Sequence, residues 1–461
     1  MHGVLAVMRS NVYLISAAAA LGGLLFGFDI AVINGALVFL RQQFQLSDLQ
    51  TEVAASALLL GCVFGASLAG TLSDRFGRKR ILLWSAVLFL VSSVGAALPH
   101  NLGEFTAARL LGGIAIGMES MLSPLYVAEI SPARIRGRLV ALNQLAIVIG
   151  ILCAYLVSWL LAGLGEASWR WMFASATVPS VLFVISFLRC PETPRWLIQQ
   201  GRVGEARSVL TLVSSETDTE GQIREIQDAI ANEQGSLRQL FEPGLRRPLI
   251  IAVALAVFQQ ITGINTILFY GSLIFTEKVA AQTAASALWA NVIIGVVNLV
   301  STVVALAIID RVGRKPLLLV AAGGMAISEF LLGLFFWLSP AATVPILCTI
   351  LACVVFFAVG LGPGVWVMMS ELFPTRIRGR AMSIATISLW IACLALTFTF
   401  LSLVRAVTIT GAFWTYATMS VLTFLFIWKV TPETKGKTLE EIDRSWTTNS
   451  PKIAAPVIPA K

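Results

Sequence analysis

Residues 74–79 read Asp-Arg-Phe-Gly-Arg-Lys, and residues 310–315 read Asp-Arg-Val-Gly-Arg-Lys. The two hexapeptides differ at one position and stand 236 residues apart. Two further stretches repeat at nearly the same distance. EISPARIRGR at 129–138 returns as ELFPTRIRGR at 371–380, and PETPR at 191–195 returns as PETKG at 432–436, offsets of 242 and 241 residues. Self-similarity at a fixed long offset marks a duplicated unit. In each copy the three motifs follow the second, fourth and sixth long apolar run, so the unit is a set of six runs.

Those runs fall near 12–40, 53–72, 81–98, 105–128, 139–161 and 169–188, then near 248–275, 284–309, 316–338, 343–370, 381–403 and 411–430. They are numbered spans 1–12. A bilayer-crossing helix needs about 20 apolar residues. The chain is 57% hydrophobic over 461 residues, about 263 in all, which covers twelve or thirteen crossings. Only 13% is charged, against about a quarter in soluble domains, so a soluble enzyme is excluded. The runs do not alternate over ten-residue strands, which excludes a membrane barrel. The first run is too long for a signal-peptide core and lacks a cleavage site, so it reads as a retained span. Six scattered cysteines, with no CxxC and no metal spacing, read as packing residues.

The expected fold is therefore an all-α membrane protein. It has a six-helix half at 1–189, a water-exposed helical linker at 190–247, a second half at 248–430 and a tail at 431–461. The linker carries fourteen Asp, Glu, Lys or Arg residues between Ile198 and Arg247, with helical periodicity at 222–234. The tail ends in a stretch with Pro451, Pro456 and Pro459 that reads as disordered. Two homologous halves in parallel orientation permit alternating access around a midplane site. Basic residues fix the orientation. Thirteen stand in the loops after spans 2, 4, 8 and 10: Arg75, Arg78, Lys79, Arg80, Arg134, Arg136, Arg138, Arg311, Arg314, Lys315, Arg376, Arg378 and Arg380. The opposite loops hold four, Arg41, Arg170, Lys278 and Arg405. Both termini and the linker are expected in the cytoplasm. The net charge of +8 belongs to this asymmetry and does not point to nucleic acid.

The paired DRxGRK loops, the paired E-x-x-P-x-R-x-R-G-R loops and PETPR after span 6 resemble the sugar porter branch of the major facilitator superfamily. The resemblance covers nearly the whole chain and is similar to bacterial proton–sugar symporters and glucose facilitators. The repeated loops read as charge-assisted latches at the cytoplasmic helix ends. Asp74 with Arg78, Glu129 with Arg136, Asp310 with Arg314 and Glu371 with Arg378 are expected to bridge helices only while that side is closed. The resemblance implies that they stabilise the outward-facing state. The plainer alternative is a set of topology determinants and surface pairs worth about 0–1 kcal/mol each.

Ionisable groups inside spans are costly and point to function. They are Asp29 in span 1, Arg109 and Glu119 in span 4, and Glu329 in span 9. The two histidines, His2 and His100, lie outside the spans, so a proton relay must use carboxylates. Asp29 stands in GGLLFGFDIAVING (22–35), where similar bacterial symporters carry an aspartate and mammalian-type facilitators a neutral residue. Arg109 matches the family's intramembrane arginine. Protonating Asp29 frees Arg109 and changes the favoured conformation, so the expectation is proton symport with Asp29 as carrier and Arg109 as modulator. A buried structural ion pair is the alternative. Glu119 departs from the family. It lies ten residues beyond Arg109, about 80° round the helix, and reads as a second titrating group, a ligand to a substrate hydroxyl, or a tie to a neighbouring helix. Glu329 reads as structural or lipid-edge.

A sugar presents hydroxyls and C–H faces and no charge, so its site needs amides and rings. Span 7 supplies FQQITGINTILFYG (258–271), in which Gln259, Gln260 and Asn265 match the family's sugar-binding residues. Gln144, Asn298, Trp366 and Trp390 match further positions. Helix-packing amides are the alternative. Phe269, Leu389, Cys393, Ile30 and Ile151 replace more polar family residues, which favours a smaller or less hydroxylated substrate while a hexose or pentose leads. Gly362, Pro363 and Gly364 interrupt span 10 and suit a gate, tight packing, or both. Gly22, Gly23, Gly27, Gly61, Gly65 and Gly70 suit close helix contact.

The function expected is proton-coupled symport of a monosaccharide or similar polyol by a monomer-sized transporter in the plasma or bacterial inner membrane. A uniporter, a sugar-sensing receptor and an exporter of apolar compounds are the alternatives. No P-loop, metal cluster or catalytic elbow is present in the sequence, so no cofactor and no enzymatic reaction are expected.

Overall fold

The computed structural model describes residues 2–132, 134–213, 218–232, 240–241, 244–279, 284–373 and 375–435. Side chains at 2–11, 278, 375 and 376 are outside that description, as are the proline-containing tail end and parts of the linker. Among the described residues every regular element is helical.

Spans 1–5 are single helices, His2–Gln43, Asp48–Phe76, Arg78–Ala97, Leu102–Ile130 and Arg136–Leu161. Span 2 starts in a capping box in which Ser47 and Gln50 satisfy each other's backbone N–H. Span 4 starts where the Asn101 side chain accepts from the Glu104 N–H. Span 6 is Ser168–Ser175 and Thr177–Arg189, and span 7 is Arg246–Ile261 and Ile264–Lys278. Spans 8 and 9 are Ala284–Val312 and Arg314–Leu338. Span 10 runs Thr343–Phe356, loosens into a π turn at Phe357–Leu361 and resumes as Gly362–Glu371. The helix Thr375–Val430 has 56 residues, about 84 Å at 1.5 Å per residue, against about 30 Å of hydrocarbon. It must cross twice, and it breaks at Thr408, where φ is 65°, into spans 11 (375–407) and 12 (409–430). Linker helices Pro194–Gln199, Val203–Val213 and Thr219–Asn232 share a small core of Trp196, Leu197, Leu210 and Ile223.

Glycines set the closest crossings. A Cβ at Gly113 of span 4 would stand 1.8 Å from the Leu58 carbonyl oxygen and 2.8 Å from the Gly61 Cα of span 2. A Cβ at Gly27 of span 1 would stand 1.9 Å from the Ile147 carbonyl oxygen of span 5. Such contact is how helices associate where no hydrophobic force separates them from lipid. Gly70 is a correction to the sequence expectation, because a Cβ there would meet nothing within 4 Å. Five residues from Gly65 to Gly70 turn about 140° round the helix, off the packed face. Gly113→Val is therefore expected to remove most of the folded protein, since backbone must move beyond the about 1–3 kcal/mol of ordinary overpacking. Gly70→Val is expected to stay within about 0.5 kcal/mol. Monodisperse yield and melting temperature in detergent check both, and equal behaviour of the two variants would refute the crossing's role.

Candidate functional site

Span 1 carries Asp29 into the first half, where it is 6% exposed, and span 4 brings Arg109, fully buried, against it. One guanidinium nitrogen donates to Asp29 Oδ1 and the other to the Asp29 carbonyl oxygen at 2.9 Å. The guanidinium also sits 5.1 Å from the Phe173 ring centroid of span 6. Asp29 Oδ2 and Arg109 Nε have no hydrogen-bond partner. The pair is thus tightly joined yet incompletely satisfied.

The second centre lies where span 7 meets span 10. Gly263, at φ 86°, adopts the left-handed conformation that glycine enters without penalty. It breaks span 7 between the two glutamines and Asn265. The side-chain nitrogen of Gln259 donates to the Leu361 and Gly362 carbonyl oxygens at 2.7 and 3.1 Å, where the π segment of span 10 passes into the next helix. Gln260 donates to Gln259 Oε1 at 3.1 Å, and Asn265 donates to Gln260 Oε1. The three amides form one relay from half-buried Asn265 to the span 10 backbone. Gln259 therefore spends its side-chain donors on holding two helices together and its oxygen on Gln260. Cys393 of span 11 sits at the Asn265 end, 3.3 Å from its nitrogen.

The other expected ligands are spread over neighbouring spans. Trp390 is 2% exposed, packs 5.6 Å from the Phe26 ring of the other half, and leaves its indole Nε1 without a hydrogen-bond partner. Buried indole nitrogens normally find an acceptor. Trp366 and Gln144 are half-buried, and Asn298 is buried in span 8.

Glu119 is fully buried and both its carboxylate oxygens lack a hydrogen bond. Glu329 is also buried. It accepts from Ser420 at 2.7 Å and Cys353 at 3.8 Å, a tie among spans 9, 10 and 12, so its lipid-edge alternative is excluded.

The repeated loops hold a correction. Glu129 pairs with Arg78 at 3.2 Å, not with Arg136, which is exposed at the start of span 5. Arg314 likewise joins Asp310 and Glu371, both at 2.9 Å, while Arg378 donates to the Phe373 carbonyl oxygen at 3.3 and 3.4 Å. Asp74 and Asp310 are 71% and 80% exposed, so their share is small. The buried arms are Arg78–Glu129 and Arg314–Glu371. The unassigned glutamates of the PET motifs complete the pattern. Glu192 accepts from the Lys79 N–H at 3.1 Å, and Glu433 from the Arg314 and Lys315 N–H groups at 3.2 and 3.0 Å. Burial raises the Glu192 carboxyl above its usual range, opposed by the Thr193 and Lys79 N–H groups.

All these motif pairs lie within one half, and the halves meet elsewhere. Span 1 packs on span 7, span 2 on span 11, and span 5 on span 8, whereas span 4 packs within its own half and against the linker and the second part of span 10 within its own half. On the face opposite the latches, Arg41 bonds Glu277 at 2.7 Å and Asp48 at 2.6 Å, and Asp48 also takes Arg405. Fully buried Glu52 accepts from the Ser402 N–H and hydroxyl at 2.7 and 2.8 Å. Deeper in, Asn34 donates to Asn291 at 3.3 Å and accepts from the Ser272 N–H at 2.7 Å. That face is bonded across the halves in the same conformation in which the latch bonds are intact. Glu52 and Asn34 went unread in the sequence. Glu52 was hidden at the edge of an apolar run, and Asn34 was a lone amide in one.

Residues 15–446 match the family described as sugar (and other) transporter. The arabinose-proton symporter of Bacillus subtilis is 40% identical over 442 residues, 94% of this chain and 95% of that protein. The D-xylose-proton symporter of Escherichia coli is 38% identical over 483 residues, 96% of this chain and 97% of that protein. Among solved structures, the xylose transporter XylE from E. coli in a partially occluded inward-open conformation is 36% identical. It superposes with a TM-score of 0.83 over 93% of this chain and 100% of that one. With its two six-span halves and duplicated loops, this multi-pass membrane protein belongs to the sugar (and other) transporter family.

Proposed function

We propose that the chain is a proton-coupled symporter of a monosaccharide, a hexose or pentose or a similar polyol, working by alternating access between its halves. The observation that carries this reading is the buried Asp29–Arg109 pair, a switchable charge in a chain that keeps few charges in its spans. The two relatives named above, symporters of arabinose and D-xylose with protons, support the substrate class. The latch face is cytoplasmic and both termini lie there, as the basic loops require. The bonded face is then external, and the conformation is inward-facing with Asp29 joined to Arg109. The membrane is the plasma or bacterial inner membrane, and the working unit is the monomer.

In the cycle, Asp29 takes a proton from outside and lets go of Arg109, which lowers the penalty for the sugar-bound rearrangement. Gln260 and Asn265 offer amide groups, and the free Trp390 Nε1–H donates to a hydroxyl. Gln259 holds the span 7–10 joint, and Gln144, Asn298 and Trp366 complete the walls. The Arg78–Glu129 and Arg314–Glu371 arms, with Asp74, Asp310, Arg136 and Arg378 around them, keep each half rigid as it rocks. Counterflow in proteoliposomes with labelled D-xylose, arabinose, D-glucose and polyols, with external pH recorded, tests this. Sugar-linked alkalinisation outside is expected, and no response to any of these compounds would refute the reading.

A further inference from the structure

Glu119 belongs to the same helix seam as Asp29. A Cβ at Gly112 of span 4 would stand 3.1 Å from Asp29 Oδ2, and a Cβ at Gly22 of span 1 would stand 2.4 Å from Glu119 Oε1. Gly112 and Glu119 are seven residues apart on span 4, and Gly22 and Asp29 are seven apart on span 1. Seven residues advance about 10.5 Å and turn only about 20° from a full number of turns. Both carboxyls therefore occupy one strip of the span 1–span 4 contact. Glu119 is the one nearer the latch end of span 4.

Asp29 has a guanidinium, whereas both Glu119 oxygens are buried without a hydrogen bond. Ser123, one turn on, gives its hydroxyl to the Ala19 carbonyl oxygen at 2.9 Å and to Asn143 Oδ1 at 3.1 Å. Among the described residues, the helices packed on span 4 carry, besides Asp29, the ionisable groups Tyr13 and Arg41 on span 1, Asp48, Glu52, Cys62, Asp74 and Arg75 on span 2, Arg78, Lys79 and Arg80 on span 3, Arg136, Arg138, Cys153 and Tyr155 on span 5 and Arg195 on the first linker helix, and span 4 itself adds Glu104, Arg109, Tyr126 and Glu129. The two helix-end groups that form the Arg78–Glu129 arm are committed to each other. An unpaired carboxylate in such a seat is costly, and the neutral acid is the form that it accommodates.

We infer that Glu119 is a second proton station, taking the proton that Asp29 gives up as Asp29 closes on Arg109. The inference rests on Asp29 being the carrier. The Asp29 O–H bond breaks and a Glu119 O–H bond forms about two helical turns away along the seam, with water as the proton's carrier, itself unchanged at the end. Asp29 becomes the anion that Arg109 holds, and Glu119 later releases the proton toward the latch face. The pairing state in this structure, Asp29 bonded to its cation and Glu119 with none, is the state after that transfer.

Proteoliposomes loaded under an inward proton gradient, with labelled D-xylose, arabinose and D-glucose, test the assignment. Glu119→Gln is expected to cut proton-driven accumulation at least tenfold and to flatten the pH profile of net efflux, and Glu119→Asp to restore part of both. Wild-type accumulation and pH profile in Glu119→Gln would overturn it. So would a loss that Glu119→Asp does not relieve and that leaves the pH profile unmoved, which is the behaviour of a packing residue. Where Glu119→Gln does not insert, Gly22→Ala crowds the carboxyl tip while keeping the acid, and an unmoved pH profile there overturns the assignment equally. Asp29→Asn with full accumulation would remove the carrier reading instead, so the two failures are distinct.

Discussion

Asp29→Asn reduces sugar accumulation to equilibrium while counterflow persists. For one proton per sugar, a gradient of one pH unit holds about a tenfold sugar ratio, since one unit is about 1.4 kcal/mol. The variant is expected to bring that ratio to one. The geometry explains why the loss is specific. The Asp29 side chain and carbonyl together occupy Arg109, and an amide oxygen can still accept from the guanidinium, so the helix contact survives. What disappears is the ability to alternate between a paired anion and a neutral acid, which is the only way in which a proton gradient reaches this pair. Removing the acceptor outright is different. Asp29→Ala leaves a buried arginine unpaired, a penalty of about 3–5 kcal/mol, and is expected to lower the yield of folded protein as well. Uptake against a gradient and counterflow, measured on the same vesicles, separate the two. Intact accumulation in Asp29→Asn would refute the carrier role.

Much of the architecture was legible because hydrophobic length and duplication are one-dimensional signals. Twelve runs of about twenty residues and three repeated loops are enough to place every span. Partner choice was harder to read. Glu129 and Arg136 are near neighbours in sequence, yet Glu129 reaches Arg78 at the start of span 3, because spans 2 and 3 both pack on span 4 and the turn between them lies at its end. The same holds for the glutamates of the PET motifs. Their repetition was visible, but their use as acceptors for the first N–H groups of spans 3 and 9 depends on where span 6 and span 12 end. At the amide cluster the sequence places Gln259, Gln260 and Asn265 together, and the structure joins them in one relay with unequal tasks. Nothing in Gln259-Gln260 distinguishes the glutamine that grips a helix from the one that faces inward, since that is decided by a π turn 100 residues away.

That division makes the second large effect. Gln259→Leu keeps the bulk of the side chain and deletes the donors to the Leu361 and Gly362 carbonyl oxygens. A π turn leaves carbonyls without their usual helical partner, and in a membrane no bulk water replaces one. Each buried acceptor so orphaned costs about 1–3 kcal/mol. The penalty falls on the joint between spans 7 and 10, not on the sugar. The maximal transport rate is expected to fall by about 10–100-fold with a smaller change in sugar KM, because the joint must survive every swing of the second half. Gln260→Leu or Asn265→Ala, at the inward end of the relay, is expected to do the reverse, raising KM by about tenfold through loss of one or two hydrogen bonds to the substrate. Initial rates over a range of sugar concentrations give both parameters. A Gln259→Leu variant whose defect lies wholly in KM would mean that this amide serves the sugar directly and that span 10 holds its π turn without it.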